Sequence, residues 1–362
     1  MRTYQIGVME GDGIGPEIVG ETVKVLKAVQ QSVDGLEIEF KYYPVGLSSF
    51  QSNGATLPEE TVEGLKECDA GLLGPLTTHI YDTGNPNMIN PSGALRKGFD
   101  LYANIRPTKT YEGVKTKFSD VDLVVVRENT EGMYADRNMH FNTGEFMPDP
   151  DTVLSFRVVT RKGSERLARV GFELAQGRKK KVTIVHKMNV LRKGCGLFYD
   201  SSLKVGKKYS DTVIDDYHID AFAMHLIQRP EDFDVVVTTN MFGDILSDQA
   251  AGLVGGLGLA PGLNLGDSFL IAQATHGSAP DIAGRNIANP VAEILSAKMM
   301  LEWLGYRNGH QSAVHAASLI ERAVEEAFKQ KMMTTDLGGD LSTTEFGDKL
   351  VHFIQDSVIY EN

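Results

Sequence analysis

The chain has 362 residues, 42% of them hydrophobic and 23% charged, with a formal net charge of −12. Roughly 150 apolar side chains are enough for two ordinary cores and exclude intrinsic disorder. So acidic a chain is a poor general binder of nucleic acid or anionic membrane, and two cysteines, Cys68 and Cys195, make neither a disulfide framework nor a structural zinc site. The N-terminal MRTYQIGVMEGDG lacks a charged segment leading into an apolar signal core, so a cytoplasmic location is expected.

Short apolar runs alternate with helical patterns along the chain. Residues 5–9 (QIGVM) predict a strand, followed by a glycine turn and a helix from Pro16 whose Val19, Val23, Leu26 and Val29 keep helical spacing. Residues 37–43 predict a second strand, 58–67 a helix and 70–73 a short strand ending in GPLTT. LVVV at 123–126, VTIV at 182–185 and DVVVT at 234–238 read as buried strands, and 164–175 as a helix. RKKK at 178–181 is expected to be a solvated turn, and the uncharged stretch 249–266, broken by glycines and Pro261, a helix end plus loop rather than a membrane span. Helices are expected over 290–304, 312–330 and 344–355. The alternation predicts an α/β chain with a largely parallel sheet.

GDGIGPE after the first strand invites a dinucleotide-binding assignment, but the spacing fails. Gly11, Gly13 and Gly15 are evenly spaced, and Pro16 stands where the fingerprint's third glycine belongs. Asp12 is a candidate cap for the helix that follows. Elsewhere, Arg96, Arg106 and Arg127 suit a substrate with two carboxylates, because guanidinium grips carboxylate bidentately and keeps its charge. In NMFGDILSD, Asp244 and Asp248 lie four apart on one face of a helix expected to begin near Gly243. Something positive must separate them, and Mg²⁺ or Mn²⁺ is the economical choice, with Asp220 a possible third carboxylate. Lys187, at the end of a buried strand, is a candidate general base and Tyr134 a candidate proton donor.

Together these segments resemble the β-decarboxylating dehydrogenases: isocitrate, homoisocitrate, 3-isopropylmalate and tartrate/D-malate dehydrogenases. The landmarks are GDGIGPE, GPLTT, LRKGFDLYANIRP, VRENTEGMY, HKMNV, TTNMFGDILSD, GGLGLAPG, HGSAPDIAG, ANP and DLGG, which span nearly the whole chain. The resemblance implies an isocitrate/isopropylmalate dehydrogenase-like fold, not a Rossmann domain. A large discontinuous domain (1–101 and 255–362) would carry the cofactor loop, and a smaller one (102–254) the dimerisation and metal-site residues. The active site would lie in the cleft between them and be shared between the subunits of a homodimer.

By motif, Arg96, Arg106 and Arg127 would bind the malate portion of the substrate, and Asp220, Asp244 and Asp248 the metal, with one of these carboxylates from the partner subunit. Lys187, also from the partner, would assist loss of the C2 hydroxyl proton, and Tyr134 would protonate the enol. His276, Gly277, Asp281, Ile282 and Asn289 would line the cofactor site. Asp281 stands where NADP-using relatives place a lysine, and Ile282 replaces their usual tyrosine, so NAD is expected. In the loop before Arg96, Asn90 precedes Ser92, the reverse of the isocitrate enzymes' Ser-then-Asn order, whereas isopropylmalate enzymes place Leu at the Ser92 position. Polar side chains there favour a carboxylate or hydroxyl substituent. The expected reaction is NAD-dependent oxidative decarboxylation of a 3-substituted malate, isocitrate or a close tricarboxylic relative first, with 3-isopropylmalate and tartrate/D-malate as alternatives. Val190, where isocitrate enzymes commonly have Ile, points to those other branches, and Arg137 is either a reader of a distal carboxylate or a solvated charge. The presence of Tyr134, Lys187 and all three aspartates argues against a catalytically silent regulatory subunit.

Overall fold

The computed structural model describes residues 2–81, 84–134, 136, 138–139 and 144–361. In chain order the strands are β1 (Arg2–Met9), β2 (Leu36–Tyr42), β3 (Ala70–Leu73), β4 (Ala103–Lys109), β5 (Asp122–Glu128), β6 (Glu145–Asp149), β7 (Thr152–Ser155), β8 (Lys181–His186), β9 (Val213–His218), β10 (Val235–Thr238), β11 (Leu263–Leu265) and β12 (Leu270–Ala272). The helices are α1 (Gly15–Ser32), α2 (Gly46–Asn53), α3 (Glu59–Lys66), α4 (Pro91–Gly98), α5 (Arg161–Gln176), α6 (Arg192–Gly206), α7 (Ile219–Gln228), α8 (Asn240–Leu253), α9 (Val291–Asn308), α10 (Gln311–Lys329) and α11 (Thr343–Glu361).

Among the described residues, ten strands form one sheet in the order β2-β1-β3-β12-β11-β4-β5-β10-β8-β9, and β6 and β7 form a separate hairpin. The outer portions are parallel, as the alternation of strands and helices predicts. The centre is not: β11 runs antiparallel to both β12 and β4, and β4 antiparallel to β5. A three-residue strand such as β11 (LNL) is too short to show a strand period, and the stretch expected to be helix end plus loop contains it. No described helix is long and apolar enough to cross a membrane.

The helical spacing of α1 is borne out by burial: Val19, Val23, Leu26 and Val29 are all inside. Burying side chains of this size contributes about 1.5–3 kcal/mol each. Val124, Val125 and Val126 of β5 are buried as well, as befits a strand covered on both faces. Asp12 does not cap α1. Its carboxylate instead accepts from the Leu47 and Thr77 amides and the Tyr81 hydroxyl, tying the glycine turn to two loops. Arg178 likewise departs from a solvated turn: it pairs with Asp122 at 2.7 Å and with fully buried Asp234 at 2.7 Å.

The glycine turn packs on the HGSAP loop, where the Ile14 amide donates to the Ser278 carbonyl at 2.9 Å. Gly13 has φ +58°, and a Cβ there would lie 2.9 Å from the Ser278 carbonyl carbon. Left-handed backbone and collision add, so Gly13→Ala is expected to destabilise the fold by about 2–4 kcal/mol in urea unfolding. A loss below about 0.5 kcal/mol would contradict this packing.

Candidate active site

Strands β4 and β5 pair with Asn104 opposite Arg127, so Arg106, two residues on, lies diagonally across on the same face. Helix α8 crosses that face. It starts at Asn240 rather than near Gly243, so Asp244 stands beyond the first turn and a helix-terminus effect does not explain it. Gly243 allows the approach, since a Cβ there would fall 2.6 Å from that of Arg127.

A charge knot results. Arg127 pairs with the Asp244 carboxylate, which also accepts from the Tyr134 hydroxyl. Arg106 Nη1 lies 3.0 Å from Asp244 and 3.5 Å from Asp248. Arg106 thus places positive charge between the two aspartates four apart. Both guanidinium groups are deeply buried, and several neutral partners hold them. Arg127 Nε donates to Asn240 at 2.9 Å, while Arg106 donates to Asn104 at 2.5 Å and Ser247 at 2.7 Å. Behind Arg106, Asn104 donates to Asn264, which also accepts from Asn129. Burial pushes the Asp244 carboxyl up, but Arg127, Arg106 and the Tyr134 hydroxyl outweigh it and hold the group below the usual carboxylate range. Asp248 goes the other way, because burial and the neighbouring Asp244 charge exceed the pull of Arg106.

The knot forms one side of a cleft of about 650 Å³. Arg96, Ser92 and Asn90 of the α4 region line it, as do Gln273, His276 and Gly277. Asn90 is the N-cap of α4, accepting from the Gly93 amide at 3.3 Å, and Ser92 donates to Gln273 at 3.3 Å. Gln273 also accepts from Arg96 at 3.4 Å. Apolar Leu76, Met88 and Ile89 line the same cleft.

The sequence model of the family described as isocitrate/isopropylmalate dehydrogenase matches residues 5–350. The chain is 44% identical over 358 residues to the 3-isopropylmalate/3-methylmalate dehydrogenase of Methanocaldococcus jannaschii, covering 98% of this chain and 99% of the relative. It is 42% identical to the isocitrate/homoisocitrate dehydrogenase of Thermus thermophilus, covering 97% and 99%. The chain belongs to the isocitrate/isopropylmalate dehydrogenase family. A solved isocitrate dehydrogenase from Methylococcus capsulatus superimposes with a TM-score of 0.87 at 40% identity, covering 97% of this chain and 99% of that one. The protein is thus an oxidoreductase of a family that carries out oxidative decarboxylation, with the α/β fold the motifs implied. Members depend in general on NAD and a metal.

Within this family member, Lys187 and Asp220 stand outside the knot and pair with each other at 2.6 Å. Among the described residues no group of three His, Cys, Asp or Glu side chains could hold a metal, so Asp244 and Asp248 are two donors without the third. In the HGSAP loop, His276 Nδ1 lies 2.9 Å from the Gly277 carbonyl, to which it must donate, leaving Nε2 as an acceptor. That nitrogen is buried without a partner, and nothing lies within 4 Å of where a Gly277 Cβ would be. Burial lowers the His276 pKa, which favours the neutral ring. An unsatisfied acceptor beside open space fits a hydroxyl-bearing ligand such as a cofactor ribose. Asp281 is exposed and Ile282 partly buried on the following turn. Asn289 is engaged with Asp336 at 3.0 Å and with the Val291 amide. Arg137 lies outside the described residues.

Asn240, Asn104, Asn264, Ser247 and Gln273 escaped the sequence reading, since a lone amide or hydroxyl has no spacing signature. Gly243→Ala is expected to push α8 off β5, costing about 2–4 kcal/mol in urea unfolding and at least about tenfold in kcat/KM. Unchanged activity would mean that Arg127 and Asp244 are not positioned by this contact.

Proposed function

We propose that the protein oxidatively decarboxylates a 3-substituted malate with NAD, and that an alkyl substituent is preferred over a carboxylate. The observation that carries the alkyl preference is the internal pairing of Asn90 and Ser92. Both were expected to need a polar substituent, but Asn90 Oδ1 already accepts from the Gly93 amide and the Ser92 hydroxyl already donates to Gln273. The cations among the described cleft-lining residues, Arg96, Arg106 and Arg127, suit the malate carboxylates, which leaves Leu76, Met88 and Ile89 for the substituent.

In this reading Arg96, Arg106 and Arg127 bind the malate portion, and Asp244 and Asp248 hold Mg²⁺ or Mn²⁺ with Asp220 of a second copy. The bound cation would supply Lewis-acid polarisation and NAD the oxidising power. Lys187 of the second copy takes the C2 hydroxyl proton, and Tyr134, held on Asp244, returns a proton to carbon once carbon dioxide has left. His276, Gly277, Asp281, Ile282 and Asn289 bind NAD, and the Asp281 carboxylate disfavours a 2′-phosphate. The strand order, with β2, β1, β3, β12 and β11 on one side and β4, β5, β10, β8 and β9 on the other, supports two domains, 1–101 with 255–362 and 102–254, joined across the continuous β11–β4 pair. Exposed Met224 and Ile227 on α7, Met241 and Ile245 on α8, and Phe146 and Leu154 on the hairpin support a homodimer through the smaller one.

The test is formation of reduced nicotinamide by the purified protein with Mg²⁺ or Mn²⁺ on 3-isopropylmalate, 3-methylmalate, isocitrate, homoisocitrate, D-malate and tartrate. The alkylmalates are expected to exceed isocitrate in kcat/KM by about tenfold or more, and NAD to exceed NADP similarly. Preference for isocitrate would mean that the Asn90–Ser92 loop reads a carboxylate after all.

A further inference from the structure

Glu293 sits in the first turn of α9 and is completely buried. Neither the substrate knot nor the cofactor loop uses it. One carboxyl oxygen accepts from the Ala274 amide at 2.8 Å, and the other is buried with no partner. A fully buried acidic side chain with half its hydrogen-bonding capacity unmet is a costly arrangement to keep for packing alone. What it holds is specific. Ala274 lies between Gln273, which accepts from Ser92 and Arg96, and Thr275 and His276, which line the cleft.

We propose that Glu293 is a positioning residue that fixes, through the Ala274 amide, the Gln273–His276 wall against which substrate and cofactor stand. The proposal rests on the reading of the cleft as their binding site. By holding one backbone amide from behind, Glu293 sets where the Gln273 amide meets Arg96 and where His276 presents its unsatisfied nitrogen. Burial, partly offset by the Ala274 amide, pushes the carboxyl up to about 8. The elements packed on α9 do little to counter this. β11, β12 and the 257–259 turn carry no titratable side chain, while α1 and α10 engage charges in pairs such as Glu21–Lys24 and Glu321–Lys298. His276 is the titratable group on the held segment itself. Near neutral pH the group is therefore a neutral acid, and ionisation at higher pH places an unpaired charge behind the wall. The native state keeps a proton that the unfolded chain releases, so stability falls as pH rises from about 4.5 to about 8 and then levels off.

The experiment compares the full-length protein with Glu293→Gln, which keeps a neutral acceptor, and Glu293→Ala, which does not. Exchange of the Ala274 amide, cofactor affinity by reduced-nicotinamide fluorescence, and KM against kcat are each measured from pH 6 to 9. The Ala variant should exchange about tenfold faster at Ala274, with cofactor KM raised about fivefold or more and kcat changed much less. The Gln variant should restore exchange and affinity and lose the pH dependence expected of the native protein around pH 8. Exchange is read on the protein alone, so absence of turnover on every malate tested would overturn the proposed function and leave this measurement intact. Native-like exchange and affinity in the Ala variant would overturn the positioning role, even in an active enzyme. Should the Ala variant not fold, a Gln variant whose pH dependence matches the native protein overturns it equally.

Discussion

The site depends on one electrostatic arrangement: two buried guanidinium groups balanced on one carboxylate. Arg106 and Arg127 are almost wholly removed from water, and stranding either charge there would cost several kcal/mol. Asp244 answers both, with Tyr134 on its other oxygen. Around this balance the protein places neutral groups, Asn104, Asn240 and Ser247, which fix the forks without cancelling their charge. A dianionic ligand in the cleft would meet cations already oriented and desolvated, the condition under which charge recognition is strong.

The antiparallel centre of the sheet builds that arrangement. Asn104 pairs with Arg127 near the end of β5, which sets Arg106, in the middle of β4, diagonal to it. The two outer portions of the sheet are ordinary parallel α/β structure. Short β11 and β12 join them and carry the chain from α8 into the HGSAP loop. The glycine turn after β1 docks on that loop at Ser278, which explains a glycine-rich segment that fits no phosphate-binding pattern: it makes room for a neighbouring carbonyl.

Most long elements were legible in the sequence because burial imposes a period. Val19, Val23, Leu26 and Val29 declare α1, and LVVV declares β5. The charged residues were legible as types, through strand ends and a four-residue spacing. Three things were not. β11 and β12 are only three residues long, too short to show a period. The partner of Ser92 depends on tertiary contact with Gln273, which polarity of the loop alone does not reveal. Arg106, which bridges Asp244 and Asp248, comes from a strand more than a hundred residues earlier, a contact that spacing within one helix does not reveal.

The knot in one chain has Arg106, Arg127, Tyr134 and Asp244 but not Lys187, which faces Asp220 elsewhere on the same chain. The central claim is therefore that a working site is made by two copies. Mixing two inactive variants, Asp244→Asn and Lys187→Ala, after reversible dissociation tests this most directly. Shared sites predict recovery of about a quarter of native activity, because each mixed dimer holds one site with both residues intact. If the mixture stays as inactive as its components although mixed dimers form, each chain must build its site alone, and the account is wrong.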